Sequence, residues 1–441
     1  MTLSTARSGL NQRTQVLSDC RPSDAKRADV LAAYRHVRSE TERLCVPLEI
    51  EDYVVQTMPD ASPTKWHLAH TTWFFEKMVL ANTRDADRFG PSQFDYLFNS
   101  YYNSLGQQFP RPSRGLLSRP TVEEVYRYRS MIDELVEEWI SSSDRESFER
   151  LAPLVTVGLH HEQQHQELIL TDLKSVLGQN PLRPIYRPTE STMLEGKVSL
   201  DWMTYPGGVA EVGTSDASFA YDNESPRHSL LLTPYSLATR LVTVGEYLEF
   251  MESGGYRRAE WWLSDGWAQC RQERWEAPAY WFRDGSEWKI FTLTGCRDLV
   301  ADEPVCHVCY YEADAYARWA GARLPREEEW EAAASSEPIV GNLLEEDCLH
   351  PQPAVRPDRM PAQFFGDVWE WTSSPYTAYP GYRPPEGPLS EYNGKFMCNQ
   401  MILRGGSCLT AAWHIRSTYR NFFPPSARWQ FSGIRLARDA F

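Results

Sequence analysis

The chain has 441 residues, 42% of them hydrophobic, and a formal net charge of −15. This length predicts two or three domains with real cores, and the negative charge, without a concentrated basic stripe, argues against nucleic acid as a partner. No window approaches the roughly 20 apolar residues of a membrane span, and residues 1–25 carry no signal-peptide pattern, so we expect a cytoplasmic protein without a membrane partner. The nine cysteines are scattered and odd in number, which predicts reduced thiols.

Apolar residues recur at helical spacing in four long segments near the N-terminus. The predicted helices are Arg27–Cys45, Thr64–Ala81, Thr121–Ile140 and Leu151–Leu177. Gly178 directly follows the last of them and is a good helix stop. We therefore predict a four-helix bundle over residues 1–180.

A proline-rich stretch follows the bundle and predicts a linker, which we place at residues 181–198. Over residues 199–441 Gly, Pro, Trp and Tyr are dense, and short strand-like runs alternate with turns. Two helices are predicted within this region, Tyr311–Ala320 and Arg326–Ala334. The whole chain is thus predicted to be α+β.

The fourth predicted helix contains His161-Glu162-Gln163-Gln164-His165. Two histidines four residues apart on a helix point from one face and can bind one metal ion. The string also fits the H-E-x-x-H pattern of zinc peptidases, in which Glu162 would be the general base, but no third-ligand pattern follows it. A metalloenzyme is therefore the leading prediction from these residues.

The second predicted helix offers the third ligand, because it carries both His67 and His70. Metal sites in helix bundles are built from side chains on facing helices. The two cannot both be assumed to be ligands, and spacing alone does not choose between them. His160 points about 100° away from His161 around the helix, so we expect it outside the metal site.

The C-terminal region carries five motifs that, in this order, resemble the formylglycine-generating-enzyme family. They are Asp222–His228, Pro304–Val308 with Tyr311–Ala313, Gly321–Glu331, Gly366–Trp371 and Arg404–Ser407. The resemblance covers about residues 199–441 and implies a C-type-lectin-like domain with little regular structure. The oxidase branch of that family has two cysteines shortly after the last motif, where this chain has Thr410 and Ile415. We therefore do not expect formylglycine generation.

The N-terminal motifs extend the resemblance to nearly the whole chain. Trp66–Glu76 and His161–Glu167 resemble the DinB-like domain of the ergothioneine sulfoxide synthases, where it is fused to a formylglycine-generating-enzyme-like domain. This resemblance implies a hercynine oxygenase, which uses non-haem iron(II) and O2 to join a thiol to carbon 2 of the hercynine imidazole and to oxygenate the sulfur. It also implies that His70, His161 and His165 hold the iron, while Glu162 lies behind the ligands or on the helix surface.

The resemblance further implies contacts to hercynine, the trimethylated betaine of histidine. Gln164 matches the family glutamine that contacts its imidazole, and Asn421 matches the asparagine that binds its carboxylate end. Phe422 and Phe423 are candidates for the face of the quaternary ammonium, although aromatic side chains also simply pack in cores.

The thiol substrate is expected to be L-cysteine rather than γ-glutamylcysteine. One branch of the family holds γ-glutamylcysteine with an aspartate two residues after the asparagine, and this chain has Phe423 there. A zwitterionic cysteine needs a guanidinium for its carboxylate and an acid for its amine. The candidates are Arg111, Arg114, Arg428 and Asp60.

Tyr101 and Tyr102 are our candidates for the catalytic phenol that delivers a proton. A tyrosine pair in a loop can equally be packing. In the better-known branch of the family the catalytic tyrosine lies in the C-terminal domain, after the position of Trp371. The corresponding tyrosines here are Tyr376, Tyr379 and Tyr382.

Two other functional classes stay open at this point. A zinc- or other-metal-dependent hydrolase, or a DinB-type thiol transferase, would use the same three histidines with a different metal. A non-catalytic carbohydrate-binding protein would depend on the lectin-like domain alone.

Overall fold

The computed structural model describes residues 27–83, 89–188, 198–215, 218–355 and 361–440. The chain divides into two compact units. The first unit is Met1–Gln179 together with the short segments Asp216–Phe219 and Pro385–Tyr392, and the second unit is the rest. The predicted N-terminal polar segment and residues 189–197 of the predicted linker lie outside the described residues.

The first unit is helical. Its helices are α1 (Arg27–Cys45), α2 (Thr64–Met78), the short α3 (Phe94–Leu97), α4 (Val122–Ser142) and α5 (Arg145–Gln179). Helix α5 packs against α1 and α2, and α4 packs against α1 and α2. The four long helices therefore form the expected bundle.

Local side-chain chemistry explains where these helices begin. Thr121 caps α4: its hydroxyl accepts the Glu124 N–H at 3.1 Å, and the Glu124 carboxylate accepts the Thr121 N–H at 2.6 Å. Helix α5 begins at Arg145 rather than at Leu151, because Asp144 accepts the N–H of Ser147 at 2.8 Å and starts the helix earlier.

A glycine sets the close approach of α5 to α2. A Cβ atom at Gly158 would lie 2.6 Å from the Phe75 ring, a distance that side chains do not tolerate. Gly158 lies one turn before His161, so this contact brings the first histidine of α5 against α2.

The second unit is α+β, as predicted. Its strands are β1 (Trp202–Tyr205), β2 (Gly208–Val212), β3 (His228–Leu232), β4 (Tyr235–Ala238), β5 (Trp281–Asp284), β6 (Glu287–Thr292), β7 (Gly295–Asp298), β8 (Trp369–Pro375), β9 (Met401–Arg404), β10 (Asn421–Phe423), β11 (Ser432–Gly433) and β12 (Ala437–Asp439). Its helices are α6 (Val244–Glu252), α7 (Ser264–Gln272), α8 (Tyr310–Trp319) and α9 (Glu327–Ala334).

Four small sheets organise this unit, with strand orders β1-β4-β12, β10-β9-β8-β11, β2-β3 and β5-β6-β7. Only β11 and β8 pair in parallel among the described strands. Buried ion pairs hold the sheets to α9: Arg404 lies 2.8 Å from both Glu327 and Glu331. Arg435 likewise binds Glu370 at 2.7 Å. Several motif residues that resemble the formylglycine-generating enzymes are thus core ion pairs that stabilise the fold.

Candidate metal centre

Three histidines of the first unit converge in the bundle. His70 comes from α2, and His161 and His165 come from α5; all three are buried. One ring nitrogen of each lies within 4.8 Å of the others, and the Nε2 atoms of His70 and His161 are 3.2 Å apart. No other group of three His, Cys, Asp or Glu side chains in the described ranges has this geometry. We call these residues the three-histidine cluster.

Burial keeps the cluster uncharged. It lowers the pKa of His161 to about 3. It also lowers the pKa values of His70 and His165 well below the usual range, and the neighbouring His161 lowers both further. Neutral imidazoles have a lone pair to donate, so the cluster is prepared to bind a metal ion at neutral pH.

Hydrogen bonds fix which nitrogen of the His70 and His165 rings faces inward. His70 Nδ1 lies 2.5 Å from the carbonyl oxygen of Phe98, so Nδ1 carries the proton and Nε2 is free to bind metal. His67 Nε2 lies 3.0 Å from the Asp172 carboxylate, and its Nδ1 lies 2.7 Å from Nδ1 of His165.

These two contacts form a relay of Asp172, His67 and His165. The carboxylate only accepts, so His67 donates from Nε2 and accepts at Nδ1 the proton of His165 Nδ1. His165 is then left with Nε2 as its metal-binding atom. The structure therefore separates the two histidines of α2: His70 joins the cluster, and His67 orients a member of it.

Glu162 is held by arginines instead of facing the cluster. Its buried carboxylate accepts from Arg129 at 2.6 Å, from Arg38 at 2.8 Å and from Thr41 at 2.7 Å. Burial raises the pKa of Glu162, but the two guanidinium groups more than offset it and lower this pKa to about 2. The residue is a fixed anion that joins α5 to α1 and α4. It is not on the helix surface, and its lone pairs are engaged, which argues against a peptidase base.

Comparison with known proteins decides the family. Residues 192–344 and 361–440 match the Sulfatase-modifying factor enzyme 1-like domain, and residues 33–169 match the DinB superfamily. A protein named hercynine oxygenase from Mycolicibacterium thermoresistibile is 32% identical over 94% of this chain and 95% of its own length. Proteins of the same name from Mycolicibacterium smegmatis and Mycobacterium tuberculosis are each 31% identical, over 93% and 91% of this chain and 98% and 96% of their own lengths.

The chain belongs to the hercynine oxygenase family. The family predicted from the motifs is therefore confirmed, and the protein is an enzyme of the oxidoreductase class. The fusion of a DinB-like and a formylglycine-generating-enzyme-like domain is confirmed as well. Among the described residues, no helix combines the length and the apolar composition that crossing a membrane requires.

In this member of the hercynine oxygenase family, Tyr392 contacts Gln164 and His161 of helix α5, and the sequence did not predict this contact. It belongs to the first unit, where its hydroxyl donates to Gln164 Oε1 at 2.6 Å and its ring centre lies 5.9 Å from that of His161. The preceding residue anchors the segment, because the Glu391 carboxylate accepts the N–H groups of Asn103 at 3.0 Å and Ser104 at 2.8 Å. No motif in the sequence marks this segment.

The predicted tyrosine pair lies on the loop that Glu391 holds. Tyr102 is buried, and its ring centre lies 6.4 Å from that of Phe74, whose ring is itself 4.5 Å from His161. Tyr101 is half-buried, and its ring lies 6.2 Å from that of Tyr392. The structure thus places three phenols around one side of the cluster.

The alternative tyrosines lie in the second unit and have partners there. The Tyr376 hydroxyl accepts from Asn223 at 2.9 Å, that of Tyr379 accepts from Arg404 at 3.0 Å, and that of Tyr382 donates to Asp222 at 2.6 Å. Each of the three hydroxyls thus has a hydrogen-bond partner within that unit.

Arg114 is a buried guanidinium whose partners are neutral. It donates to the hydroxyl of Ser62 at 2.9 Å and of Ser100 at 3.3 Å, and it lies 3.3 Å above the Trp66 ring. Trp66 stacks on His70, with ring centres 4.6 Å apart. Burial lowers the pKa of Arg114 to about 8. Within the described ranges no carboxylate forms an ion pair with it, so the site can accept an anion next to the cluster.

The other candidates for the thiol site differ in availability. Arg111 is exposed and donates to the backbone carbonyl of Asp60, whose side chain is on the surface. Arg428 in the second unit is bound through two nitrogens to the buried carboxylate of Glu312, at 2.8 and 2.9 Å. The assignment of Arg428 to substrate is therefore withdrawn, because its charge is already neutralised within the fold.

The hercynine candidates of the second unit share strand β10. Asn421 accepts the N–H of Phe422 at 2.9 Å through its side chain. Phe422 stacks on Tyr376 with ring centres 4.0 Å apart, and Phe423 meets Trp429 edge-on at 6.0 Å. All three candidate residues are half-buried, so part of each side chain remains accessible.

Proposed function

We propose that this protein is a non-haem iron(II) sulfoxide synthase of ergothioneine biosynthesis. It joins the thiol of L-cysteine to carbon 2 of the hercynine imidazole and oxygenates the sulfur, with O2 as co-substrate. The observation that carries the proposal is the buried, neutral three-histidine cluster in a chain 32% identical to a hercynine oxygenase over 94% of its length.

The donor set fits iron. Imidazole nitrogens suit iron(II), and three of them leave room on an octahedral ion for ligands other than the protein. Bound iron would supply the activation of O2 next to the two substrates. In this proposal His70, His161 and His165 hold the ion, and the relay through His67 keeps the binding nitrogen of His165 unprotonated.

The remaining roles concern substrate binding and proton delivery. Arg114 binds the cysteine carboxylate, because no carboxylate of the described residues pairs with this buried cation. Arg111 lies on the same turn, and it donates to the carbonyl of Asp60. Gln164 contacts the hercynine imidazole and is held in place by Tyr392. Further candidates for hercynine binding are Asn421, Phe422 and Phe423.

The phenols beside the cluster are the proton donors in this proposal. Tyr101 and Tyr102 remain the candidates, and Tyr392 joins them because its hydroxyl is already hydrogen-bonded next to His165. A tyrosine hydroxyl can deliver a proton when it lies within hydrogen-bond reach of the atom that receives it.

A zinc hydrolase is not favoured. Such an enzyme needs a general base beside its metal, and the one acid of the histidine motif, Glu162, is neutralised by Arg38 and Arg129. A thiol transferase would use the cluster without consuming O2.

The test is O2 uptake by the metal-loaded protein. The apo-protein is loaded anaerobically with iron(II) or zinc, mixed with hercynine and cysteine, and exposed to O2 in an electrode cell. We expect uptake with iron only and only when both substrates are present. His161→Ala should abolish it, whereas His160→Ala should retain it, because His160 lies outside the cluster and stacks on Phe219. Uptake that survives His161→Ala would refute the assignment of the metal site.

A further inference from the structure

The second unit contains a cleft of about 590 Å³. It lies among α6, α7 and the β5–β6 hairpin. The volume is in the range of small-molecule sites. None of its lining residues belongs to the three-histidine cluster or to the substrate candidates.

The cleft is positively charged in a protein that is otherwise strongly acidic. Four arginines and two glutamates line it, which gives a local formal charge of 4 − 2 = +2, against −15 for the chain. The arginines are Arg257, Arg271, Arg274 and Arg283.

These arginines are available to a ligand. Arg257, Arg271 and Arg274 are exposed, and none of them forms an ion pair with a carboxylate of the described residues. Arg283 is held by its own hairpin, where it donates to the Ser286 carbonyl at 2.6 Å and lies 4.0 Å above the Trp288 ring. Unpaired guanidinium groups at the mouth of a cleft are the usual means of binding phosphate.

The floor of the cleft is fixed by buried groups. Tyr256 is buried and donates to the Glu312 carboxylate. Arg428 binds the same carboxylate and lies 4.3 Å from the centre of the Trp275 ring. Tyr256 and Trp275 both line the cleft, so the Glu312–Arg428 ion pair supports its floor from behind. A floor that is rigid before binding lowers the entropic cost of binding a ligand.

We propose that this cleft binds a small molecule that carries two or more phosphate groups. A single carboxylate or phosphate would engage one or two of the guanidinium groups, whereas a polyphosphate matches several of them at once. The binding is independent of the three-histidine cluster and of the proposed reaction.

The test is titration calorimetry of the full-length protein in a phosphate-free buffer. The probes are inorganic tripolyphosphate, ATP and citrate. Binding of both tripolyphosphate and ATP identifies phosphate groups as the recognised feature, and binding of ATP alone identifies a nucleotide. We expect Arg271→Gln and Arg274→Gln each to weaken this binding by about tenfold, the contribution of one charge-assisted hydrogen bond.

Arg318→Gln is the matched control. Arg318 is an exposed arginine of the same unit outside the cleft, where it pairs with Asp314, and its loss should leave the dissociation constant unchanged. The substituted cleft arginines have no ion-pair partner among the described residues, so the melting temperatures of the variants should match that of the wild type. The proposal is overturned if neither phosphate probe binds, if both arginine variants bind them as tightly as the wild type, or if citrate binds as tightly as tripolyphosphate.

Discussion

Replacing His67 with phenylalanine tests how the protein prepares its metal centre. His67 binds no metal in our account, but it accepts the proton of His165 Nδ1 at 2.7 Å and passes a hydrogen bond to Asp172 at 3.0 Å. His67→Phe keeps a ring of similar size and removes both contacts. The proton of His165 then has no acceptor, and either ring nitrogen can carry it.

The expected loss follows from these contacts. Partners that orient a metal-binding histidine contribute about 10- to 100-fold to metal affinity, and His67 is the only described side chain that contacts His165 Nδ1. We expect iron(II) affinity to fall by that factor. Asp172 keeps the backbone N–H of Ser62 at 2.8 Å but loses its hydrogen bond from His67, and the His165 N–H loses its acceptor. Together these losses should lower the free energy of unfolding by about 1–3 kcal/mol.

Anaerobic competition with a coloured iron(II) chelator measures the affinity, and His160→Phe is the control. His160 lies next to the cluster residue His161 but stacks on Phe219, so its replacement should leave affinity within twofold, which is about 0.4 kcal/mol. Unchanged iron affinity in His67→Phe, with the fold intact by circular dichroism, would refute the relay.

Three further outcomes are expected. Tyr392→Phe should lower the rate of single-turnover product formation by about 10²-fold or more and leave iron affinity unchanged, because the variant lacks the phenol that delivers the proton. Tyr382→Phe is the control and should keep the wild-type rate, and equal rates in the two variants would exclude Tyr392 as the proton donor. Arg114→Gln should raise the KM for cysteine at least tenfold and leave the KM for hercynine unchanged, and a change confined to hercynine would contradict our thiol site. Glu162→Gln should destabilise the protein to urea by about 1–3 kcal/mol, because Arg38 and Arg129 each lose one of their two carboxylate partners and keep Asp133 and Glu42 respectively. Because the pKa of Glu162 is depressed, the stability that its carboxylate contributes is present above the ordinary carboxyl pKa and is lost as the pH falls toward about 2. The Glu162→Gln variant should lack this part of the acid-dependent loss of stability. A parallel loss in the wild type and the variant would contradict the role of Glu162.

Local patterns account for what could be predicted of the first unit. The helical spacing of apolar residues predicted α4 within two residues at each end, since that signal lies within one helix. Helix α5 begins earlier than the predicted Leu151, because the Asp144 side chain accepts the N–H of Ser147 and Pro153 is accommodated inside the helix. The histidine pair of α5 could be predicted from the sequence for the same reason, because both histidines lie on one face of one helix.

Long-range partners account for what could not be predicted. His67 and His70 look alike in sequence, and their roles differ through Phe98 and Asp172, which other segments supply. The contact of Tyr392 with Gln164 spans 228 positions and leaves no local pattern. Arg428 was misassigned because its partner, Glu312, is 116 positions away in the sequence.

The measurement that tests the central claim most directly is mass spectrometry of the product formed under ¹⁸O2. Iron(II)-loaded protein is given hercynine with either cysteine or γ-glutamylcysteine. We predict a hercynine–cysteine sulfoxide that carries one ¹⁸O atom on sulfur and is absent without iron. Product from γ-glutamylcysteine alone would overturn the thiol assignment based on Phe423. The absence of any sulfoxide with both thiols, from protein that holds iron, would contradict the proposed function.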